Sequence, residues 1–453
     1  MTVQEGAKPQ GYAGYCLRDI PDEDPELTHT GPGTPMGEHL RHFWQPVCLS
    51  ENLTDLPHAI RIMGEDLVAY RDKSGQVGVL HRHCSHRGTS LEYGIVSERG
   101  IRCCYHGWLF DADGTILETP GEPPNSKLKD SFLHGAYPAL EKGGLVFAYM
   151  GPAELQPDFP EFDGYDLWDN RLKGFSIHFP CNWLQVTDNY MDPIHGVFLH
   201  SRYNGIHLTP AWDEIPVPQY FEVGDGEDVI YASVRRTSPE MVWLRCNHAI
   251  GPNIGEAGTV WEQGKSESYF LRVGNTRWMM PIDDENSVMF GWAHLNERLD
   301  PDRNRDESMI GHNRIDFDGQ VARDTYEEQQ RNPGDWEAIV GQRRIARHGL
   351  EHPGATDEGV QMRRRQMRQA IRGEIPGALP KPAGQNYGPI LTYTHDTVLR
   401  IPERSSEPED RKLLFDVGKR LTEVMLEGDA YRGIERQEFV EGRFKDVEAQ
   451  FAG

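Results

Sequence analysis

Four residues able to bind a soft metal fall within 23 positions of one another: Cys84, His86, Cys103 and His106. They lie in HRHCSHRGTSLEYGIVSERGIRCCYHGW (81–108), with the pattern C-x-H-x16-C-x2-H. Two thiolates and two imidazoles suit four-coordinate zinc. They also suit a Rieske [2Fe–2S] cluster, in which two Cys hold one iron and two His the other. Zinc sites of this composition usually keep the Cys pair in one knuckle and the His pair in another. Here each half offers one Cys and one His, which favours the cluster. Arg87-Gly88 follows the first half and Gly107-Trp108 the second. Glycines let such loops approach the sulfurs closely enough for backbone N–H groups to bond to them. Cys103 and Cys104 are adjacent; the C-x2-H spacing selects Cys103 and leaves Cys104 as a packed thiol. His81 and His83 read as strand or loop residues.

A second set lies in CNWLQVTDNYMDPIHGVFLHS (181–201), where Asp192, His195 and His200 form D-x2-H-x4-H. Two imidazoles and one carboxylate are the donor set of the facial triad that holds non-heme Fe(II) with open positions. Five residues on an α-helix turn through about 500°. The two rings would share a face only roughly, so a break or widened turn is expected between them, with Gly196 permitting it. Such a pair alone reads as ordinary histidines. Its company with the first set, about 100 residues upstream, makes it a second iron site.

The elements that must position these residues form an α+β chain of two domains. From 40 to 155, short apolar runs broken by Asp113-Gly114, Lys142-Gly143-Gly144 and Gly151-Pro152 read as a small antiparallel β domain. Residues 1–39 are an N-terminal arm. A Pro-rich acidic linker runs from Pro152 to about Gly164. From 165 to 453, strands such as VIYASVRRT, VWLRCNHAI and SVMFGWAHL alternate with helical stretches near 183–200, 320–330, 335–350 and 357–373. The tail from about 406 is helical, with Leu413, Leu414, Val417, Leu421, Val424 and Met425 at helical spacing.

Length, charge and composition exclude several classes. A chain of 453 residues exceeds one ordinary hydrophobic core. The balance of 47 Lys+Arg against 71 Asp+Glu gives −24, which opposes a nucleic-acid binder. The run MRRRQMRQAIR (362–372) therefore reads as one solvated helix face. Ten Trp, 17 Tyr and 17 Phe exclude an acidic disordered chain. No basic segment with an apolar run opens the sequence, and GLVFAYM (144–150) is too short to cross a bilayer. A soluble cytoplasmic protein with no membrane contact is expected. Seven cysteines, an odd and irregularly spaced set, argue against a disulfide framework.

The two constellations together resemble the oxygenase (alpha) component of Rieske non-heme iron aromatic ring-hydroxylating oxygenases. The phthalate-dioxygenase-like and aromatic O-demethylase branch is the nearest in pattern. The resemblance covers roughly 30–375, through GPGTPMGEHLRHFWQPV (31–47), RCCYHGW (102–108), YPALEKGGLVFAYMGP (137–152), CNWLQ (181–185) and GDWEAIVGQRRIARHGLEHPGATDEGV (334–360). It implies a Rieske β domain and a helix-grip catalytic domain, a curved antiparallel sheet around a long helix. It implies one [2Fe–2S] cluster and one mononuclear Fe(II) per subunit. Cys84 and Cys103 would bind one cluster iron and His86 and His106 the other; His195, His200 and Asp335 would hold the mononuclear iron. Asp335 follows only from its place relative to Ile345, Glu351, His352, Gly354 and Asp357. Asp192 would be the catalytic bridging carboxylate between the cluster ligand His106 of one subunit and His195 of its neighbour in a homotrimer. Three positions depart from the family pattern: Ser85 where Pro is common, Cys104 where Pro or an apolar residue is common, and Val340 where Glu is common.

The implied activity uses O₂ and NAD(P)H electrons, delivered by a separate ferredoxin and/or flavin-dependent reductase, to oxidise a small aromatic substrate. The catalytic pocket should be mostly apolar with a few polar anchors. Trp243, Arg245, Asn247, His248 and Arg277, together with Trp278 and Met279, are candidates to line it, and Arg245 or Arg277 could bind a carboxylate bidentately. VWLRCNHAIGPNI and RWMMPIDDEN resemble the O-demethylase members, which favours O-demethylation of a methoxylated aromatic acid over ring hydroxylation or dihydroxylation of an aromatic carboxylate. A Rieske electron carrier and a zinc-stabilised interaction protein are the non-enzymatic alternatives. The His195/His200 pair and the long second domain argue against the carrier.

Overall fold

The fold was analysed in a computed structural model, which describes residues 11–453 apart from 12, 16, 204, 260–265, 301–304, 316–317 and 386–387. Cys16 thus lies outside the described residues. All strand pairings within the sheets are antiparallel.

The first part is a small β structure with three sheets. Strands Trp44–Leu49, Leu145–Tyr149 and Ala139–Lys142 form one; His58–Ile62, Glu65–Arg71, Val77–His81 and Ala136–Tyr137 form a second. Four two- to three-residue strands between Ile95 and Glu118 form the third. Its core joins Val68, Tyr70, Leu80, Leu91, Ile101, Trp108 and Phe110 to Cys84 and Cys103. The second part is a large sheet in the order Arg171–Phe179, Ser287–Leu295, Asn275–Pro281, Ile254–Ala257, Met241–Ile250, Asp228–Ser238, Val217–Val223. His395–Arg400 pairs with Met241–Cys246 and brings Ser268–Leu271 with it.

Strand alternation gives this sheet its two chemistries. From Met241–Ile250, the even residues Val242, Leu244 and Cys246 enter the core shared with the 21-residue helix Glu407–Glu427. Arg245 and Asn247 face the other way, into a cavity. Leu413, Leu414, Val417, Leu421, Val424 and Met425 of the tail join the first of these faces, while Phe415 is exposed. The tail is two helices, Glu407–Glu427 and Gly433–Ala452, separated near Gly433, which takes φ +53°.

The Pro152–Gly164 segment is pinned, unlike a free linker. Trp44 donates to the Pro157 carbonyl at 3.0 Å and Phe159 packs on Phe147. Asp163 is buried between the guanidiniums of Arg272 (3.0 Å) and Arg436 (3.1 Å). One core runs from Leu145–Met150 through Phe175, Trp278 and Trp292, so the small and large sheets are held as one body. The 362–372 arginines also differ from the solvated face expected of them. Arg363 and Arg364 are buried; Arg364 pairs with Asp188 and Glu351, Arg368 with Asp24, and Arg372 with Glu26. The acids of the N-terminal arm neutralise this helix, so the run is a docking surface within the chain. Among the described residues, no helix is long and apolar enough to cross a membrane.

Asp163→Ala would strand two buried guanidiniums. A loss of about 3–5 kcal/mol is expected, read as a lowered denaturant midpoint with an unchanged slope.

Candidate active site

The first constellation converges at the tip of the small β part. Its two loops have matching geometry. In one, Cys84 N–H donates to the Thr89 carbonyl (2.9 Å) and Gly88 N–H to the Cys84 carbonyl (2.8 Å). In the other, Cys103 N–H donates to Trp108 (2.8 Å) and Gly107 N–H to Cys103 (3.1 Å). Gly88 and Gly107 take φ +78° and +72°, a left-handed turn that a side chain would strain. The two cysteines are buried and their thiols meet; burial, with the neighbouring thiol adding to it, pushes Cys84 upward. The two imidazoles lie outward with ring centroids 4.4 Å apart, and His86 stacks on Trp108 at 4.7 Å and 5°. Thiols inside and imidazoles outside form two unlike pairs. Among the described residues, these four do not contribute any group of three donors within 4.8 Å of one another. An inner thiol pair and an outer imidazole pair suit a Rieske cluster, whose two irons take different ligands.

Cys104 is exposed, not packed as expected: the strand Ile101–Arg102 turns the next side chain inward at Cys103 and the following one outward. Ser85, at the position where Pro is common, bonds through Oγ to His134 Nδ1 at 2.5 Å. His134 Nε2 in turn meets the His81 carbonyl at 2.9 Å. His83 contacts the Gly88 carbonyl at 3.1 Å. Neither His81 nor His83 joins the four-residue set.

His195, His200 and Asp335 converge beneath the large sheet, each offering one donor atom within 4.8 Å of the others. Helix Trp183–Tyr190 ends before Asp192, and the chain then makes a short α turn at His195–Val197 followed by a widened π turn at Phe198–Arg202. The widened turn swings His200 onto the face of His195, as the five-residue spacing required. Gly196 has a different reason from the one expected. A Cβ there would lie 2.4 Å from the Trp212 ring, so glycine admits Trp212 against the turn.

Asp335 opens helix Asp335–Val340, 135 residues beyond His200. Its Oδ1 lies 3.1 Å from His200 Nε2 and 3.5 Å from His195 Nε2. Asn189 Nδ2 donates to the same oxygen at 3.2 Å, and Gln320 Nε2 donates to Oδ2 at 2.5 Å. Burial alone would raise its pKa; the two imidazoles and Gln320 outweigh it and hold the carboxyl well below the usual range. Asp192 accepts at Oδ1 from the Ile194 (2.7 Å) and His195 (3.4 Å) amides, and its Oδ2 stands 3.7 Å from His195 Nδ1. Burial raises Asp192, but His195 and these amides bring it below its ordinary value. Burial lowers His195, and the Asp192 and Asp335 carboxylates raise it overall. His195 Nδ1 is buried and, among the described residues, has no hydrogen-bond partner, the Asp192 carboxylate standing off at 3.7 Å. It is the far nitrogen of a ring whose Nε2 faces the other two donors, the arrangement a metal-bound imidazole needs.

A cavity of about 650 Å³ opens onto this triad. Arg245, Asn247 and Arg277 line it, with Tyr190, Tyr231, Trp212, Thr259 and Asn275. Its wall is polar and apolar in nearly equal measure, more polar than the mostly apolar lining expected. Trp243 and His248 are outside it. His248 is an even residue of its strand and turns away, toward Asp228 (3.5 Å) and Glu256 (3.7 Å). Trp243 shares the cavity's side but is covered by Trp212 at 5.8 Å and bonded to Asp396 at 2.9 Å. Trp278 and Met279 belong to the core shared with the small β part. Arg245 is engaged by the Gly258 and Thr259 carbonyls (3.2 and 3.1 Å) and by Asp396 (3.6 Å). Arg277 has Asn275 Oδ1 (2.6 Å) as its hydrogen-bond partner among the described residues. Burial lowers its pKa, opposed by Tyr190 and by Asp335. The acids Asp300, Asp306 and Asp318 also line the cavity; each is already engaged, by the Arg305 amide, Ser308 and Arg323 respectively.

Sequence reasoning missed Asn189, Trp212, His207 and Gln320. Asn189 stands three residues before Asp192 and had a local signal. Gln320 and Trp212 lie in irregular segments where spacing carries no information.

A paired Cys/His tip and a 2-His-1-carboxylate pocket define an iron-dependent oxidoreductase of the kind that uses O₂. The comparisons agree. Residues 43–135 match the Rieske [2Fe-2S] domain. The chain is 46% identical to the tert-butanol monooxygenase / tert-amyl alcohol desaturase oxygenase subunit of Aquincola tertiaricarbonis, over 97% of this chain and 96% of that one. It is 37% identical to the phenoxybenzoate dioxygenase subunit alpha of Ectopseudomonas oleovorans (80% and 88%). It is 33% identical to the 5,5'-dehydrodivanillate O-demethylase oxygenase subunit of Sphingobium sp. (strain NBRC 103272 / SYK-6) (83% and 88%). The fold is similar to that of dicamba monooxygenase bound to dicamba, with a TM-score of 0.56, 21% identity, and coverage of 74% of this chain and 98% of that one. The chain belongs to the oxygenase subunits of the Rieske non-heme iron oxygenases.

Gly196→Ala should displace Trp212 from the turn. Overpacking of this kind costs about 1–3 kcal/mol; a lowered Tm with altered tryptophan fluorescence checks it, and unchanged values would contradict the contact.

Proposed function

We propose that this subunit inserts oxygen into a methyl C–H bond of a methoxylated aromatic acid. Arg277 carries the reading. Its half-buried guanidinium lines the same cavity as the triad and its neighbour Asn275 leaves donors free. A carboxylate is the ligand that a planar fork of this kind pairs with best. Arg245, occupied by two carbonyls and Asp396, is a wall residue. The oxidised position then lies across the cavity toward His195, His200 and Asp335. In the net reaction one oxygen atom enters the C–H bond and the other leaves as water, taking up two electrons and two protons. The resulting hemiacetal releases formaldehyde and the phenol.

Relatives support the choice of a methyl carbon. One is named an O-demethylase subunit. Another is named for tert-butanol, whose C–H bonds are all methyl. Ring hydroxylation of an aromatic carboxylate is the second reading, favoured by the dioxygenase relative.

Within the protein, Cys84, Cys103, His86 and His106 would hold the cluster, and His195, His200 and Asp335 would hold one iron. When bound, the cluster supplies single electrons and the iron supplies O₂ activation. Asn189 and Gln320 fix the Asp335 carboxylate, and Gln320 occupies Oδ2 so that Oδ1 faces the imidazoles. Tyr190 and Tyr231 remain protonated: burial raises both phenols, Tyr231 to about 12. Asp192 positions His195 and, in a head-to-tail homotrimer, meets His106 of the partner subunit. Its side chain keeps 29% exposure, which leaves an edge for another chain. The loops 81–91 and 101–108 carry Arg82, Arg87 and Arg102 and no acid, in a chain of net charge −24. Arg82 pairs with Asp66 (2.9 Å) and Arg102 with Glu118 (2.7 Å), so Arg87, over the Tyr105 ring, is the cation offered to an acidic ferredoxin-type donor.

NADH-dependent O₂ uptake with a surrogate reductase, against methoxylated and plain aromatic acids, tests the reading. Formaldehyde in proportion to substrate consumed is expected; ring diols without formaldehyde would replace it with the second reading. Arg277→Gln should raise KM for the acid by about 10- to 100-fold with little change for an uncharged analogue. Asp192→Ala should keep both metal sites and stop turnover; retained activity would refute the bridging role.

A further inference from the structure

The two imidazoles facing Asp335 are backed by different groups. His195 Nδ1 faces the Asp192 carboxylate. His200 Nδ1 faces another imidazole, with His207 Nδ1 at 3.2 Å. The two rings lie with centroids 5.4 Å apart at 66°, and both residues are buried. Two ring nitrogens at this distance need one proton between them, with a lone pair on the other. If His200 Nε2 is a metal ligand, its remaining proton sits on Nδ1. His200 then donates and His207 accepts, which places the His207 proton on Nε2.

We infer that His207 is a positioning residue of the iron site, an acceptor that fixes the ring plane and tautomer of His200. The inference rests on the reading of His200 as a ligand. A neutral imidazole draws less on the Nδ1 proton than a carboxylate does, so the two histidines differ in donor strength.

The surrounding chain holds His207 in this place from two sides. Its N–H donates to the His200 carbonyl at 3.0 Å, which closes the loop after the widened turn. On the other side stands Gly319, at φ +82°, where a Cβ would lie 3.0 Å from His207 Nδ1. The Gly319 carbonyl accepts from Asp335 N–H at 2.7 Å, and the next residue, Gln320, holds Asp335 Oδ2. The same two residues therefore seat the ring behind one ligand and anchor another.

The test uses the iron-loaded protein, with Rieske visible absorption as the check on folding. One readout is mononuclear iron retained on dialysis against a ferrous chelator. The other is the EPR spectrum of the ferrous site with nitric oxide, which needs no turnover. His207→Leu keeps the bulk and removes the acceptor; His207→Asn keeps an acceptor. His207→Leu should weaken iron retention about 10- to 100-fold and shift the nitric oxide spectrum, while His207→Asn stays near the parent in both. Parent-like behaviour of His207→Leu overturns the inference, and so does an equal defect in His207→Asn. If His207→Leu does not fold, His207→Phe takes its place under the same outcomes. His200→Ala separates the two failures. If it keeps its mononuclear iron, the ligand reading falls and this inference with it. If it loses iron while His207→Leu keeps it, this inference alone falls.

Discussion

A carboxylate buried as deeply as Asp335, at 6% exposure, survives only where donors or positive charge surround it. Two imidazoles, the Asn189 amide and the Gln320 amide do so here. They come from three segments: the α turn and widened turn spanning 195–202, the Trp183–Tyr190 helix and the loop before Asp335. The rest of the large sheet serves this convergence. Arg364, clamped between Asp188 and Glu351, holds the helix that carries Asn189. Trp212, admitted by Gly196, closes the opposite side and stacks between Arg235 and Arg245 at 4.7 and 5.1 Å.

The cluster tip solves a different problem. Its thiols must be shielded and its imidazoles must reach the surface, where electrons arrive. Two loops of like geometry, each closed by a glycine in the left-handed region, do this with cysteines in the core and histidines at the rim. The core common to Phe147, Trp278 and Trp292 fixes that tip relative to the catalytic sheet.

Residue type and spacing revealed much of this. The C-x-H and C-x2-H halves, the five-residue histidine spacing with its widened turn, and the amphipathic tail were legible because each is a local pattern. Asp335 was legible only through resemblance, since nothing local marks one acid among 71. Gln320 and His207 were not legible: their roles depend on which segments meet, and irregular backbone carries no period. The arginines of 362–372 misled for the same reason: Arg364 finds Asp188, 176 residues away, and Arg368 and Arg372 find Asp24 and Glu26, more than 300 residues away. His248 failed on strand parity, which sequence could have settled once Arg245 and Asn247 were assigned to the cavity. Exposed Cys104 failed on which of two adjacent thiols turns outward.

The account's central claim is that one chain holds two separate iron sites, with Asp335 belonging to only one. Iron and acid-labile sulfide should therefore be counted in the purified protein and in Asp335→Ala. The account predicts about three irons and about two sulfides per chain, falling to about two irons with sulfide and visible absorption unchanged in the variant. A variant that keeps its third iron, or loses sulfide along with it, would contradict the claim.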